Sequence, residues 1–174
     1  MIRRVAILPN KDLTYSNMVY VSPLEHLENV HVFVYSSGFH YSVVTHPGIC
    51  EGTIGMSNLV MKMLRVNVGD DTVVSFVPAP VYHDIATCVC DVSCNENLLF
   101  DLLCGNLPTI STFNRNRLGA LFCGQVFKMN QQVAFVHDGL NCCLTVINIF
   151  NGAGVEIYGG FIRASTRVIF DNLN

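Results

Sequence analysis

Alternating and β-branched hydrophobic stretches dominate the chain, and they predict a fold built mainly of β-strands. In the first half they predict strands at residues 3–8, 17–21, 30–36, 39–45 and 72–77. In the second half they predict strands at residues 85–93, 125–129, 131–137, 140–150, 155–162 and 167–170. Two turns that end in glycine, Ser37-Gly38 and Asp138-Gly139, predict a hairpin between the strands on either side of each.

Two short helices are predicted within this β-rich pattern. The first covers residues 57–65, where Ser57 can cap the helix and the apolar positions 56, 59, 60, 63 and 64 share one side. The second follows a cap at Asn95 and ends at Gly105, and residues 106–117 are predicted to be mostly loop. The fold class is therefore α+β, mainly β with short helices.

A stiff connector divides the chain into two units. Pro78-Ala79-Pro80 ends a strand and restricts the backbone, so we expect one unit at residues 1–80 and a second at 81–174. Hydrophobic residues make up 51% of the chain and charged residues only 13%, which indicates well-formed cores rather than disorder.

Charge and hydropathy exclude some classes of protein. The net charge is −3, which argues against a nucleic-acid-binding protein because such proteins need a basic surface. No apolar run reaches the ~18–20 residues that cross a bilayer, so we expect no membrane insertion. The eight cysteines lie mostly in apolar stretches, where they are expected to be buried free thiols in a cytoplasmic protein.

One cysteine cluster raises the question of a metal site. Cys88, Cys90 and Cys94 follow His83, but their spacing differs from that of a zinc knuckle, and alternate positions on one strand explain it. Nucleophile elbows and phosphate-binding glycine loops are absent from the sequence. We therefore expect no metal, no cofactor and no catalysis in this chain. A small zinc- or thiol-dependent enzyme built on the three cysteines is the alternative from a different class.

Basic residues on the first helix and in the long loop are the candidate binding residues. Lys62 and Arg65 share the polar side of the first helix with Asn58, and such a side can also be simply solvated. Met61 falls toward the same side, either as a binding residue or as a hydrophobic staple that closes on Met56. A second basic spot is expected in the loop, formed by Arg115 and Arg117.

Short motifs along nearly the whole chain are similar to those of one family. They are Pro9, Leu13, Ser16 and Asn17; Val21-Ser22; His31, Val32 and Val34; Thr45-His46-Pro47; Glu51-Gly52-Thr53-Ile54; Gly69-Asp70; the stretch FCGQVFKMNQQVAFVHDGLNCCLTVINI; and the closing Ser165 to Phe170. With them the chain resembles the N-terminal domain of N-ethylmaleimide-sensitive factor (NSF), the AAA ATPase that disassembles SNARE complexes in vesicle fusion.

The resemblance implies a fold, a function and partners. Residues 1–80 would form a double-psi β-barrel and residues 81–174 a small α/β roll, which meet at a groove. The chain would be the non-catalytic module that binds SNAP adaptors on SNARE complexes. ATP and Mg²⁺ would be bound by AAA domains beyond Asn174, in a homohexamer, whereas this part alone would be monomeric. The protein would be cytoplasmic and recruited to membranes through SNAP and SNARE proteins.

The resemblance also implies a basic adaptor interface. The family has an arginine–lysine pair on the first helix, which corresponds to Met61-Lys62, so that the lysine is kept and the arginine is not. The family arginine before the first motif falls on Ile7, with Arg3 and Arg4 a few positions earlier. The expected partner-binding residues are therefore Lys62, Arg65, Arg3, Arg4, Arg115 and Arg117. An alternative is the N domain of valosin-containing protein, which binds ubiquitin-pathway cofactors and is similar over Leu64 to Asp70.

Overall fold

The computed structural model describes residues 1–25, 30–34, 38–78, 83–94, 115–137 and 140–171, and the architecture given below is that of these residues. Their strands are β1 (Ile2–Ile7), β2 (Met18–Val21), β3 (Val30–Val34), β4 (Phe39–Thr45), β5 (Thr53–Met56), β6 (Asp71–Pro78), β7 (His83–Asp84), β8 (Thr87–Cys94), β9 (Val126–Lys128), β10 (Gln132–His137), β11 (Leu140–Phe150), β12 (Gly159–Phe161) and β13 (Arg167–Phe170). Their helices are α1 (Asn58–Leu64) and α2 (Arg115–Leu121), with 3₁₀ turns at Lys11–Thr14 and Pro23–Glu25. The predicted mainly β, α+β class is confirmed.

The first six strands form a closed barrel in the order β1-β5-β2-β4-β3-β6, with β6 pairing back to β1. Two neighbouring pairs, β1 with β5 and β2 with β4, are parallel, whereas the other four are antiparallel. The barrel encloses a hydrophobic cluster that includes Val5, Val19, Tyr41, Ile54 and Val74. These side chains come from alternate strand positions, which is why the sequence pattern located most of the barrel strands.

Strand β5 was not predicted, because the stretch from residue 45 to the first helix was expected to be loop. Its backbone passes close to other parts of the barrel at Gly55. A Cβ atom there would lie 2.6 Å from Ile49 Cδ1 and 3.1 Å from Leu8 Cδ2, so only glycine fits without a shift. Glycine weakens the strand signal in the sequence and at the same time permits this packing.

Helix α1 lies where it was predicted, but its buried side is rotated. Val60, Met61 and Leu64 are buried in the barrel cluster, whereas Leu59 and Met63 are only half-buried. The expectation that Met61 lies on the polar side is therefore wrong. Met56 and Met61 flank the Ser57 cap and share one cluster, as the staple interpretation requires.

The second half contains two sheets and its own hydrophobic cluster. One sheet has the order β10-β11-β8-β13 and the other the order β7-β12-β9. The hairpin predicted at Asp138-Gly139 is confirmed, since β10 and β11 pair antiparallel from His137 and Leu140 onward. The apolar side chains of β8, including Cys88, Cys90 and Val92, point into a cluster with Phe122 and Phe135. The prediction that these two cysteines are core residues is confirmed.

Two predictions for the second half were wrong in extent. The strand expected at residues 155–162 is confined to Gly159–Phe161, because Asn151 organises a turn whose side-chain oxygen accepts from the N–H groups of Ala153 and Val155. Arg115 and Arg117 lie at the start of α2 and not in a loop.

The second predicted helix, at residues 95–105, lies outside the described residues. Across the described part of the chain, no helix is long and apolar enough to span a membrane.

Three buried amide side chains join the barrel to the second half, and we call Asn17, Gln125 and Gln131 the amide cluster. The backbone N–H of Asn17 donates to Gln125 Oε1 at 3.0 Å, and Asn17 Nδ2 donates to the Val126 carbonyl at 2.6 Å. Gln131 Nε2 donates to Asn17 Oδ1 at 2.5 Å and to the His40 carbonyl at 3.3 Å. Residues more than a hundred positions apart are thereby hydrogen-bonded away from water.

The buried hydroxyl of Tyr41 leads to a stability prediction. Tyr41 is fully buried in the barrel, its hydroxyl has no hydrogen-bond partner among the residues that the structure describes, and burial raises the pKa of the phenol. Because an unpaired buried hydroxyl carries a desolvation cost, Tyr41→Phe should keep or raise the free energy of unfolding, by up to about 1 kcal/mol. Tyr20→Phe is the control, because the Tyr20 hydroxyl contacts Ser16 Oγ at 3.0 Å. The control should cost about 1 kcal/mol in urea denaturation, and a larger loss for Tyr41→Phe than for the control would contradict the assignment.

Candidate functional site

An open pocket of about 550 Å³ lies on the outer side of α1 and of the turn that follows it. Its lining residues in the described part of the chain carry two positive charges, two amides and three apolar side chains, and they are Asn58, Met61, Lys62, Arg65, Val66, Asn67 and Val68. None of these residues is acidic. The pocket therefore combines basic groups with apolar surface, as a site for an acidic protein segment would.

The start of α1 positions Lys62. Ser57 is the N-cap, with an extended backbone and a side-chain oxygen that accepts from the N–H of Val60 at 3.2 Å. Burial of Met61 and Leu64 fixes the rotation of this short helix against the barrel. Lys62 then projects into solvent, and neither it nor Arg65 forms an ion pair with any described residue.

The end of α1 places Arg65 in a costly conformation. Arg65 has φ 56° and ψ 44°, the left-handed region that usually takes glycine. The N–H of Arg65 donates to the Lys62 carbonyl at 3.2 Å and the N–H of Val66 to the Met61 carbonyl at 3.0 Å, which is a Schellman ending. An arginine that is kept at such a position is a reason to look for a function of its side chain.

The turn after α1 forms the far side of the pocket. Asp70 Oδ2 accepts from the backbone N–H of Asn67 at 2.8 Å and from the Asn67 side chain at 3.3 Å. This contact holds the turn while Val68 stays 55% exposed at its tip. The pocket therefore has an ordered rim with one accessible apolar side chain.

Helix α1 also reaches the second half of the chain, where it packs against β10. Burial raises the pKa of the Cys143 thiol, while Ser93, the Val133 backbone and the Lys62 charge oppose that rise. The described residues that line the pocket all belong to the first half of the chain, although the helix that carries Lys62 contacts the second half.

The other expected partner-binding arginines are elsewhere. Arg3 forms a 2.6 Å ion pair with Glu25, whose side chain is 6% exposed, so its guanidinium is used within the fold. Arg4 is exposed and lies 3.5 Å from Asp71 on the outside of the barrel. Arg115 and Arg117 belong to α2, which packs against β13. Of the four expected residues whose side chains the structure describes, Lys62 and Arg65 line the pocket and Arg3 and Arg4 do not.

The cysteines do not assemble a metal site in the described part of the chain. Cys88 Sγ and Cys90 Sγ are 3.3 Å apart and fully buried, and their contact together with burial raises the pKa of Cys88. No group of three or more histidine, cysteine, aspartate or glutamate side chains is placed to hold a metal ion among the described residues. The side chain of Cys94 is not among them.

Sequence reasoning identified the two basic residues of the pocket but missed its apolar part. The sequence pattern predicts no binding role for Val66 and Val68, because isolated valines near Gly69 form no periodic apolar surface. The strain at Arg65 also has no sequence signal, apart from the absence of glycine at the end of the helix. No protein-family model matches the chain, and no curated protein sequence matches it significantly.

The conformation of Arg65 leads to a prediction that separates strain from function. Arg65→Gly should raise the free energy of unfolding by about 1 kcal/mol, because glycine adopts the left-handed region without a Cβ clash. Arg65→Ala keeps the Cβ and should bring no such gain. Thermal or urea denaturation of the three proteins measures this.

Asn130→Gly is the matched control for this comparison. Asn130 also has a positive φ, 64°, but asparagine tolerates that region, so the gain should be smaller than at Arg65. A loss of stability in Arg65→Gly would show that the arginine side chain stabilises the fold itself.

Proposed function

We propose that this chain is an NSF-like N-terminal domain that binds a SNAP adaptor through the pocket on α1. The observation that carries the proposal is the pairing of Lys62 and Arg65 on one exposed surface, where none of the described lining residues is acidic. The chain itself would be non-catalytic, and ATP hydrolysis would take place in AAA domains of the full-length hexamer.

The barrel topology supports a double-psi assignment. A six-stranded closed barrel with two parallel pairs, β1 with β5 and β2 with β4, needs connections that cross over a neighbouring strand. A simple up-and-down barrel has only antiparallel neighbours and needs no such connections. The second half, with two small sheets and α2, is consistent with the α/β roll expected beside such a barrel.

Motif residues behind the resemblance have clear roles in the structure, which also supports the proposal. Asn17 of the Leu-x-x-Ser-Asn motif and Gln125 of the Gly-Gln motif meet in the amide cluster. His46 of the Thr-His-Pro motif accepts the N–H of Gly48 through Nδ1 at 3.0 Å and lies edge-on to Tyr20. Part of the similarity thus involves residues that build the fold, whereas other motif residues, such as Pro9 and Pro47, are exposed.

The pocket chemistry supports an acidic protein as the partner. Two exposed cations attract and orient a negatively charged surface, while Val66 and Val68 offer a small apolar contact. Arg65 occupies a left-handed position that glycine would fill without strain, and its planar guanidinium can bind a carboxylate with two hydrogen bonds. A nucleic acid is a poorer candidate, because the net charge of the chain is −3.

Charge reversal tests the proposal directly. The double variant Lys62→Glu/Arg65→Glu should weaken binding to a SNAP–SNARE complex on the order of tenfold or more, because both cations would become repulsive. Binding by the unchanged chain should also weaken as salt rises, since the screening length shortens. Biolayer interferometry on immobilised SNAP–SNARE complex, which presents several adaptors, measures both effects.

The matched control reverses two exposed basic residues elsewhere, Lys11→Glu and Arg167→Glu, with the same change in net charge. It should bind nearly as well as the unchanged chain. Equal losses in both double variants would mean that only net charge matters, and the pocket would not be the site. No binding by the folded, unchanged chain at any salt concentration would reject the proposed function and favour a ubiquitin-pathway cofactor as partner.

A further inference from the structure

Three observations show that the junction between the barrel and the second half contains hydrogen bonds as well as apolar contacts. Asn17 is 1% exposed and Gln131 is 0% exposed, so their amides are fully removed from water. In both side chains the oxygen and the nitrogen are hydrogen-bonded. Asn17 accepts from Gln131 and donates to the Val126 carbonyl, and Gln131 accepts from the Lys128 N–H and donates to Asn17. Further out, Lys128 Nζ donates to the Gly38 carbonyl on the barrel side.

Buried hydrogen bonds constrain orientation in a way that apolar contacts do not. Apolar burial is non-directional, so by itself it specifies the relative orientation of two surfaces less strictly than hydrogen bonds do. A rotation of the barrel against the second half would separate Asn17 from Gln131 and leave both amides unpaired without water. Every alternative docking of the two halves is therefore disfavoured by the same few atoms.

We propose that the amide cluster is a conformational device that selects one orientation of the barrel relative to the second half and makes them move as one rigid body. Its members come from the start of β2, from the residue before β9 and from the turn before β10, so it connects both sheets of the second half to the barrel. A force applied to α1 is then passed to the second half without a hinge between them. This inference does not depend on which partner binds α1.

The test replaces hydrogen bonds by apolar contact while keeping the burial. In the full 174-residue chain, Asn17→Leu/Gln131→Met preserves the approximate side-chain volume and removes the directional bonds. One spin label goes on Cys50 of the barrel and one on Cys123 of the second half, both exposed. Cys94, Cys104 and Cys143 are replaced by serine, and the buried cysteines are left in place. Double electron–electron resonance then gives the distribution of distances between the two labels.

The unchanged junction should give a single narrow distance distribution. The double variant should remain folded by circular dichroism but broaden that distribution by roughly twofold or more, because the halves can rotate. Gln132→Ala is the matched control: it is the neighbouring glutamine, only half-buried and outside the amide cluster, and it should leave the distribution narrow.

Both the double variant and a milder one, Gln125→Ala, can overturn the inference. A folded double variant with a distribution as narrow as that of the unchanged chain would show that apolar packing alone sets the orientation. If the double variant does not fold, Gln125→Ala serves instead, because it removes only the acceptor of the Asn17 N–H. That milder variant should broaden the distribution measurably, and a distribution identical to that of Gln132→Ala would overturn the inference.

Discussion

The hydrogen bond between Asn17 and Gln131 is the contact on which the arrangement of this chain depends. It joins residues 114 positions apart and lies where the barrel, β9 and β10 come together. Each half has its own hydrophobic cluster, so each has its own reason to be compact. What apolar burial does not specify is how the two compact halves face one another, and buried amides supply that specification. Because α1 packs against β10, the surroundings of Lys62 also depend on the hydrogen bond between Asn17 and Gln131.

Features determined by local chemistry could be predicted from the sequence. The Ser57 cap, the strand at Arg167–Phe170 and the hairpin between β10 and β11 were located correctly, since each depends on a few neighbouring residues. Lys62 and Arg65 were identified as a pair because residues three positions apart are neighbours on the predicted helix, although Arg65 in fact lies just beyond its end. The burial of Cys88 and Cys90 followed from the two-residue period of a strand.

Features determined by distant parts of the chain could not be predicted. Strand β5 exists because Gly55 can pass close to Ile49 and Leu8, a contact that no local pattern reports. Met61 turns inward because it packs in the barrel's hydrophobic cluster, although helix periodicity places it on the polar side. Arg3 resembles a free surface cation until Glu25 is brought beside it. For the candidate site, the two positive charges could be predicted from the sequence. The apolar rim and the left-handed conformation of Arg65 could not, because both depend on how the turn after α1 folds.

The pairing of β1 has a consequence for the order in which the chain folds during synthesis. Strand β1 is made first, but its two neighbours are β5 and β6, which end at residues 56 and 78. At ~5–20 residues per second, the ribosome needs several seconds to deliver both partners, and the first strand waits unpaired throughout. The barrel can therefore close only after β6 has been made, and its docking to Gln131 comes later still. Nascent chains of this protein thus present an unpaired strand edge for longer than a protein built of successive hairpins would.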